Sequence, residues 1–209
     1  MTQLDVLVEE PSMEQGLRLL LPRLIEDVSW RIFAYRGKPD LLAKLPSRLR
    51  GYRTTHQIDR TILVVIDADR QDCRHLKAQL EAIAVSAGLA TRSQPRHGAG
   101  MVINRIAVEE LEAWYFGDWA AVRAAYPKVP NDIPRQSRYR NPDAITGGTW
   151  EMFERILRNA GYMQGGLRKV EAAQAIVTHM VPDRNTSPSF RALCDALRDL
   201  PTRRTGAQR

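Results

Sequence analysis

With 209 residues, 44% of them hydrophobic and 26% charged, the chain is long enough to bury a core and too apolar to read as disordered. Its formal charge of +7 favours an anionic partner, nucleic acid first, although Arg203, Arg204 and Arg209 place part of that charge in the tail. No apolar run approaches the roughly 18 residues of a membrane span, Met1 to Asp5 lacks the basic-then-apolar pattern of a signal peptide, and Cys73 and Cys194 have no zinc-ligand spacing. A cytoplasmic protein with two reduced thiols is expected.

Residues 4–8 alternate as a strand, stopped by Pro11-Ser12. Ser12 then reads as an N-cap, with Gln15 completing a capping box. Leu17, Leu20, Leu21, Leu24 and Ile25 share one face of the helix that follows. Residues 30–35 read as a second strand, and a basic helical segment runs from Pro39 to about Gly51. Residues 61–66 form a continuous β-branched and apolar run, the pattern of a central parallel strand buried on both faces. A helix follows over 73–87, stopped by Gly88. Strands are expected over 89–94 and 101–108, with a basic glycine loop between them, and a helix over 109–117. This order predicts an α/β fold, a mainly parallel sheet flanked by helices, over residues 1–120. Residues 121–149 read as an irregular linker or wrapping loop, with Pro127, Pro130, Pro134 and Pro142. Residues 150–209 read as a helical C-terminal part packed on the first domain. Its helices are expected over 150–160, 167–180 and 188–200, the last with Ser187-Pro188 as N-cap and first residue.

The carboxylates carry the functional argument. Ligands of open α/β sheets bind at the carboxyl ends of the strands. Glu9 ends the first strand, and Asp67 and Asp69 end the central one. Alternate residues of an extended segment point the same way, so Asp-x-Asp aims two carboxylates at one place, and Glu9 joins them if its strand is adjacent. Such a cluster repels itself unless a cation sits within it. Mg²⁺ or Mn²⁺, one ion or two, fits oxygen ligands and phosphate chemistry. The plainer alternative is turn and capping chemistry after a strand. Glu109 and Glu112, three apart, are read as sharing a helix face beside Asp67, where they supply a second metal site or simply suit the helix dipole.

A glutamate after the first strand, followed by Asp-x-Asp after a later hydrophobic strand, resembles the Toprim pattern of topoisomerases, bacterial primases and the overcoming-lysogenization-defect nucleases. The stretch from Leu7 to Glu14 resembles the Val-Glu-Gly-x-Thr-Glu of those nucleases. Residues 8–21, 66–80, 105–115 and 141–193 are similar to the DUF4276 family of small Toprim-like proteins. The resemblance implies a Toprim-like sheet and a metal-dependent nuclease in which Glu9, Asp67 and Asp69 are catalytic. It further implies a role for Lys169, placed by its late position in the chain, in neutralising charge on the phosphate; otherwise Lys169 is a solvated helix-face lysine. It also implies an anti-phage defence setting beside an ATPase, and a homodimer. Two departures leave the metal number open: Glu10 stands where glycine is usual, and Met13 near where an acid is common, with Glu14 as a substitute.

Arg36, Lys38, Arg96, His97 and Arg105 are candidates for nucleic-acid phosphates, the last three because they flank the glycine loop. His56, His75 and His179 suggest no metal role, and no Walker A motif is present. The expectation is a metal-dependent nuclease acting on DNA or RNA. A non-catalytic metal-binding subunit of a defence complex is the alternative, and a primase-like transferase ranks behind both.

Overall fold

A computed structural model describes residues 3–54, 60–94 and 101–200. Its centre is a sheet of five parallel strands: β1 (Gln3–Val8), β2 (Ser29–Ala34), β3 (Arg60–Asp67), β4 (Ala90–Thr91) and β5 (Met101–Ala107). Their order is β2-β1-β3-β5-β4. Val8 lies level with Val65, and Asp67 level with Ala107, so β1, β3 and β5 finish together at one edge.

Alternation along the strands divides the core into two layers. Leu4, Val6, Val8, Leu63, Val65 and Ile103 face one way, while Leu7, Ile62, Val64, Ile66 and Val102 face the other. The second face is covered by α2 (Lys38–Thr54) and α3 (Cys73–Ser86). The first is covered by α1 (Pro11–Leu24) together with the C-terminal half of the chain. Burying each of these Leu, Val and Ile side chains is worth about 1.5–3 kcal/mol in transfer terms, so both layers hold the sheet flat between them.

The C-terminal half contributes α4 (Glu112–Gly117), α5 (Trp119–Ala125), α6 (Thr149–Asn159), α7 (Lys169–His179) and α8 (Pro188–Arg198). Helix α7 lies across α1 and α5, and α8 lies on β5. Gly16 faces Val177 across the α1–α7 contact, where a Cβ would meet a Val177 methyl at 3.6 Å, an ordinary van der Waals distance. Residues 153–200 share one core with β1 and β3. Between α5 and α6 the chain makes three short 3-10 turns, at Ile133–Arg135, Ser137–Tyr139 and Pro142–Ala144. Among the described residues no helix is long and apolar enough to cross a membrane.

Four details differ from the sequence reading. Helix α1 begins at Pro11 with Glu10 as its N-cap residue, because proline's fixed φ suits the first helical position; Ser12 lies inside the helix and its hydroxyl donates to the Glu10 carboxylate. Strand β4 has only two residues. The helix expected from 109 begins at Glu112, because Glu109 adopts a left-handed φ of 50° that no helix accommodates. Helix α5 was not expected; Asp118 caps it, accepting from the Ala121 amide at 3.4 Å. Asp118 also accepts from Val181 N at 2.8 Å and Arg184 Nε at 2.6 Å, which ties α5 to the segment after α7.

Candidate metal centre

The parallel sheet carries its acids to one edge. Glu9 and Glu10 follow β1, Lys38 follows β2, Asp67 and Asp69 close β3, and Glu109 to Glu112 follow β5. Because β1, β3 and β5 are neighbours, residues 58 and more positions apart in sequence meet there.

Glu9 is 7% exposed. Its carbonyl accepts from Gly37 N at 2.7 Å and its Oε2 from Asp67 N at 3.3 Å. Burial, and then the charge of Asp69, push its pKa up to about 7, against the opposing pull of Lys38 and the Asp67 amide. Asp67 is 2% exposed, and its Oδ1 has no hydrogen-bond partner among the described residues. Burial first, then Glu9 and Glu112, raise its pKa well above the carboxylate range. Glu112 is 1% exposed with an unpartnered Oε2, and burial pushes it up to about 7 although Lys169 opposes.

Two lysines flank this acid ridge. Lys38 reaches Asp69 Oδ2 at 2.5 Å and donates to the Ala68 carbonyl at 3.1 Å. Asp69 itself has a left-handed φ of 50°, which aspartate tolerates better than most residues, and its amide donates to the Glu109 carbonyl at 2.6 Å. On the other side Lys169, the first residue of α7, lies 3.7 Å from Glu10 Oε1 and 5.8 Å from the Trp150 ring centre. Burial disfavours its charged form, but Glu112, Glu10 and Asp67 more than offset that and raise its pKa.

Glu9, Asp67, Asp69, Glu112 and Lys169 are thus brought to one edge of the sheet, with Glu10 added. Glu109 stands at the same edge through its carbonyl, but its carboxylate has Glu110 and Glu151 as charged neighbours, which with burial raise its pKa. The shared helix face is corrected because residue 109 precedes the helix. Glu110 escaped the sequence reading; its Oε2 accepts from Thr149 Oγ1 at 2.8 Å and Trp150 N at 2.9 Å, holding the start of α6 against the ridge. Only the acid run itself hinted at it. Lys38 faces Asp69 at the ridge, while Arg36 is exposed at the end of β2. Arg105 is spent on structure: its Nε donates to the Ala192 carbonyl of α8 and its Nη1 to the Asn104 carbonyl, both at 2.9 Å. Arg96 and His97 lie outside the described residues. The described ends of their loop, Gln94 and Met101, stand at the amino-terminal end of β5, with Met101 level with Thr61 and remote from Asp67.

Among the described residues no three His, Cys, Asp or Glu side chains already surround one metal-sized point. The donor set still fits a hard cation. It is all oxygen, Glu9, Asp67 and Glu112 are buried with Asp69 half-exposed beside them, and Asp67 Oδ1 and Glu112 Oε2 lack partners among the described residues.

Fold and ridge together define an α/β protein with an acidic cluster, flanked by two lysines, at the carboxyl end of a parallel sheet. The chain belongs to DUF4276, a family described as a domain of unknown function, whose model matches residues 8–198 and so takes in every residue of the ridge. No curated protein and no solved structure matches it.

Proposed function

We propose that the chain is a metal-dependent nuclease of Toprim type, hydrolysing phosphodiesters of DNA or RNA in the cytoplasm. The observation that carries this reading is Asp67: a buried carboxylate with a bare Oδ1, facing Glu9 and Glu112. Three buried acids, two of which, Glu9 and Glu112, oppose the ionisation of the third, Asp67, are a costly arrangement for a fold alone. Strongly perturbed groups of this kind concentrate at functional sites.

Glu9, Asp67 and Asp69 would hold Mg²⁺ or Mn²⁺, with Glu112 available to a second ion, and such an ion polarises a phosphodiester and acidifies bound water. The chain's own contribution is positional. The Asp67 amide fixes the Glu9 carboxylate. Lys38 holds Asp69 at the mouth of the site. Lys169, kept protonated by its acidic neighbours, supplies positive charge for a phosphate oxygen. The defence setting and the partner ATPase follow from the likeness of the Leu7–Glu14 stretch, Asp67 and Asp69 to the Toprim nucleases named above.

A second reading has two observations in its favour. Asp69 is already paired with Lys38, and among the described residues no three acids converge on one metal-sized point. A non-catalytic subunit holding a structural ion would look the same.

The test is cleavage of plasmid, single-stranded DNA and total tRNA with Mn²⁺ or Mg²⁺, by wild type and Asp67→Asn, alone and with a candidate partner ATPase. EDTA-sensitive cleavage by wild type only is the expected result. Cleavage that survives in Asp67→Asn, or its absence from every substrate with the ATPase present, sinks the nuclease reading.

A further inference from the structure

The chain also carries a trough of about 710 Å³ along the free edge of the sheet, between β2 and α2. Among the described residues strand β2 pairs with β1 alone, which leaves this side of the sheet open. Phe33, Tyr35, Arg36 and Arg48 line the trough. The Arg48 guanidinium lies 4.3 Å from the Phe33 ring centre, and its Nε donates to the Tyr52 hydroxyl at 3.2 Å. Beneath, the buried carboxylate of Asp5 is fully engaged: it accepts from Tyr52 at 2.8 Å and pairs with Arg31 at 2.9 Å and Arg60 at 3.0 Å. Asp5 therefore repels no anion above it. Around the trough stand five cations, Arg31, Arg36, Lys44, Arg48 and Arg60, against two carboxylates, Asp5 and Asp40.

We propose that this trough binds an unpaired strand of nucleic acid and leads it to the carboxylate ridge. Three features favour that ligand. The walls combine guanidinium and aromatic planes, on which bases of any sequence stack. The charge suits a phosphate backbone. The trough is long and open, lined by α2 from Asp40 to Tyr52, about 18 Å at the usual rise of a helix, which fits a strand better than an enclosed small molecule. At one end is Arg36, and the next residue, Gly37, donates to the Glu9 carbonyl, so a strand leaving the trough arrives at the site. A duplex has its bases paired and stacked and cannot use these planes.

The inference rests on the nuclease reading for its direction, but its test does not. Binding of fluorescent oligothymidylate and oligouridylate is measured by anisotropy in EDTA, for wild type, Arg48→Lys, Tyr35→Leu and Asp67→Asn, with circular dichroism confirming each fold. Arg48→Lys keeps the charge and removes the plane. The expected result is binding weakened about fivefold or more in Arg48→Lys and Tyr35→Leu, consistent with the loss of a stacking contact, and not weakened in Asp67→Asn. Preference for single strands over a duplex of equal length is also expected. Folded variants that bind as wild type does, or equal affinity for duplex, overturn the trough while leaving the nuclease reading intact. Trough-dependent binding without metal-dependent cleavage of any substrate overturns the nuclease reading and leaves the trough standing.

Discussion

The amide of Asp67 donates to the carboxylate of Glu9 across 3.3 Å, so the acid that ends one strand is fixed by the backbone of the acid that ends its neighbour. The two charges are forced together by main-chain geometry, and no side-chain rotation of Asp67 can release that bond. Replacing Asp67 by asparagine removes a buried carboxyl whose ionisation is opposed by burial, Glu9 and Glu112, without changing its shape. We predict that Asp67→Asn stabilises the metal-free protein by about 1–3 kcal/mol in denaturant unfolding while removing cleavage and the rise in melting temperature that Mg²⁺ or Mn²⁺ gives the wild type.

Glu9 and Glu112 both titrate near 7 in the fold, against an ordinary carboxylate value of 4.5. A raised folded pKa means that the folded state holds protons which the unfolded chain has released. The stability this confers is full below about pH 4.5 and is lost as pH rises through about 7. In EDTA, melting temperature should therefore fall between these limits. A Glu9→Gln/Glu112→Gln variant should lose most of that slope, and saturating Mg²⁺ should flatten it in the wild type. An equal slope in the double variant counts against the burial argument.

Lys38 competes with any cation for Asp69. Lys38→Gln should tighten Mn²⁺ binding at least several-fold in calorimetry, since one like charge about 4 Å away costs about 1 kcal/mol even at the dielectric of bulk water and more in a lower one. It should also cost about 0.5–1.5 kcal/mol for the lost bond to the Ala68 carbonyl. Weaker Mn²⁺ binding would show that Lys38 organises the site instead of opposing a cation.

Glu110 acts on α6. Its carboxylate satisfies the Trp150 amide and the Thr149 hydroxyl at a helix start whose own N-cap, Gly148, has no side chain. Glu110→Ala should destabilise the protein by about 1–2 kcal/mol, as loss of a helix cap does. Glu110→Gln, which can still accept, should recover part of this. Thermal unfolding of the pair decides it.

Much of this fold was legible from residue pattern. The β-branched run from Thr61 to Ile66 announced a strand buried on both faces, and Glu9, Asp67 and Asp69 were placed at strand ends by the polar residues that stop those strands. Position across the sheet was less legible. The glycine loop around Arg96 looked well sited because it adjoins β5, but pairing of Met101 with Thr61 puts its described ends at the opposite edge. Glu109 was misread because a left-handed backbone at a single residue leaves no mark on helical periodicity. Helix α5 was missed because it is short and its cap, Asp118, looks like any turn aspartate. Arg105 looked like a phosphate ligand because sequence does not reveal which carbonyls of α8 come within its reach.

Lys169 belongs to the last third of the chain, yet it stands beside Glu10, near the first. On the nuclease reading, a ribosome making this protein lays down Glu9, Asp67 and Asp69 long before the lysine that would meet the phosphate. Chains cut short before α7 would carry the acids without that lysine and without the helix that covers α1. Translation order itself would then delay the appearance of a complete cutting site until nearly the whole chain has been made.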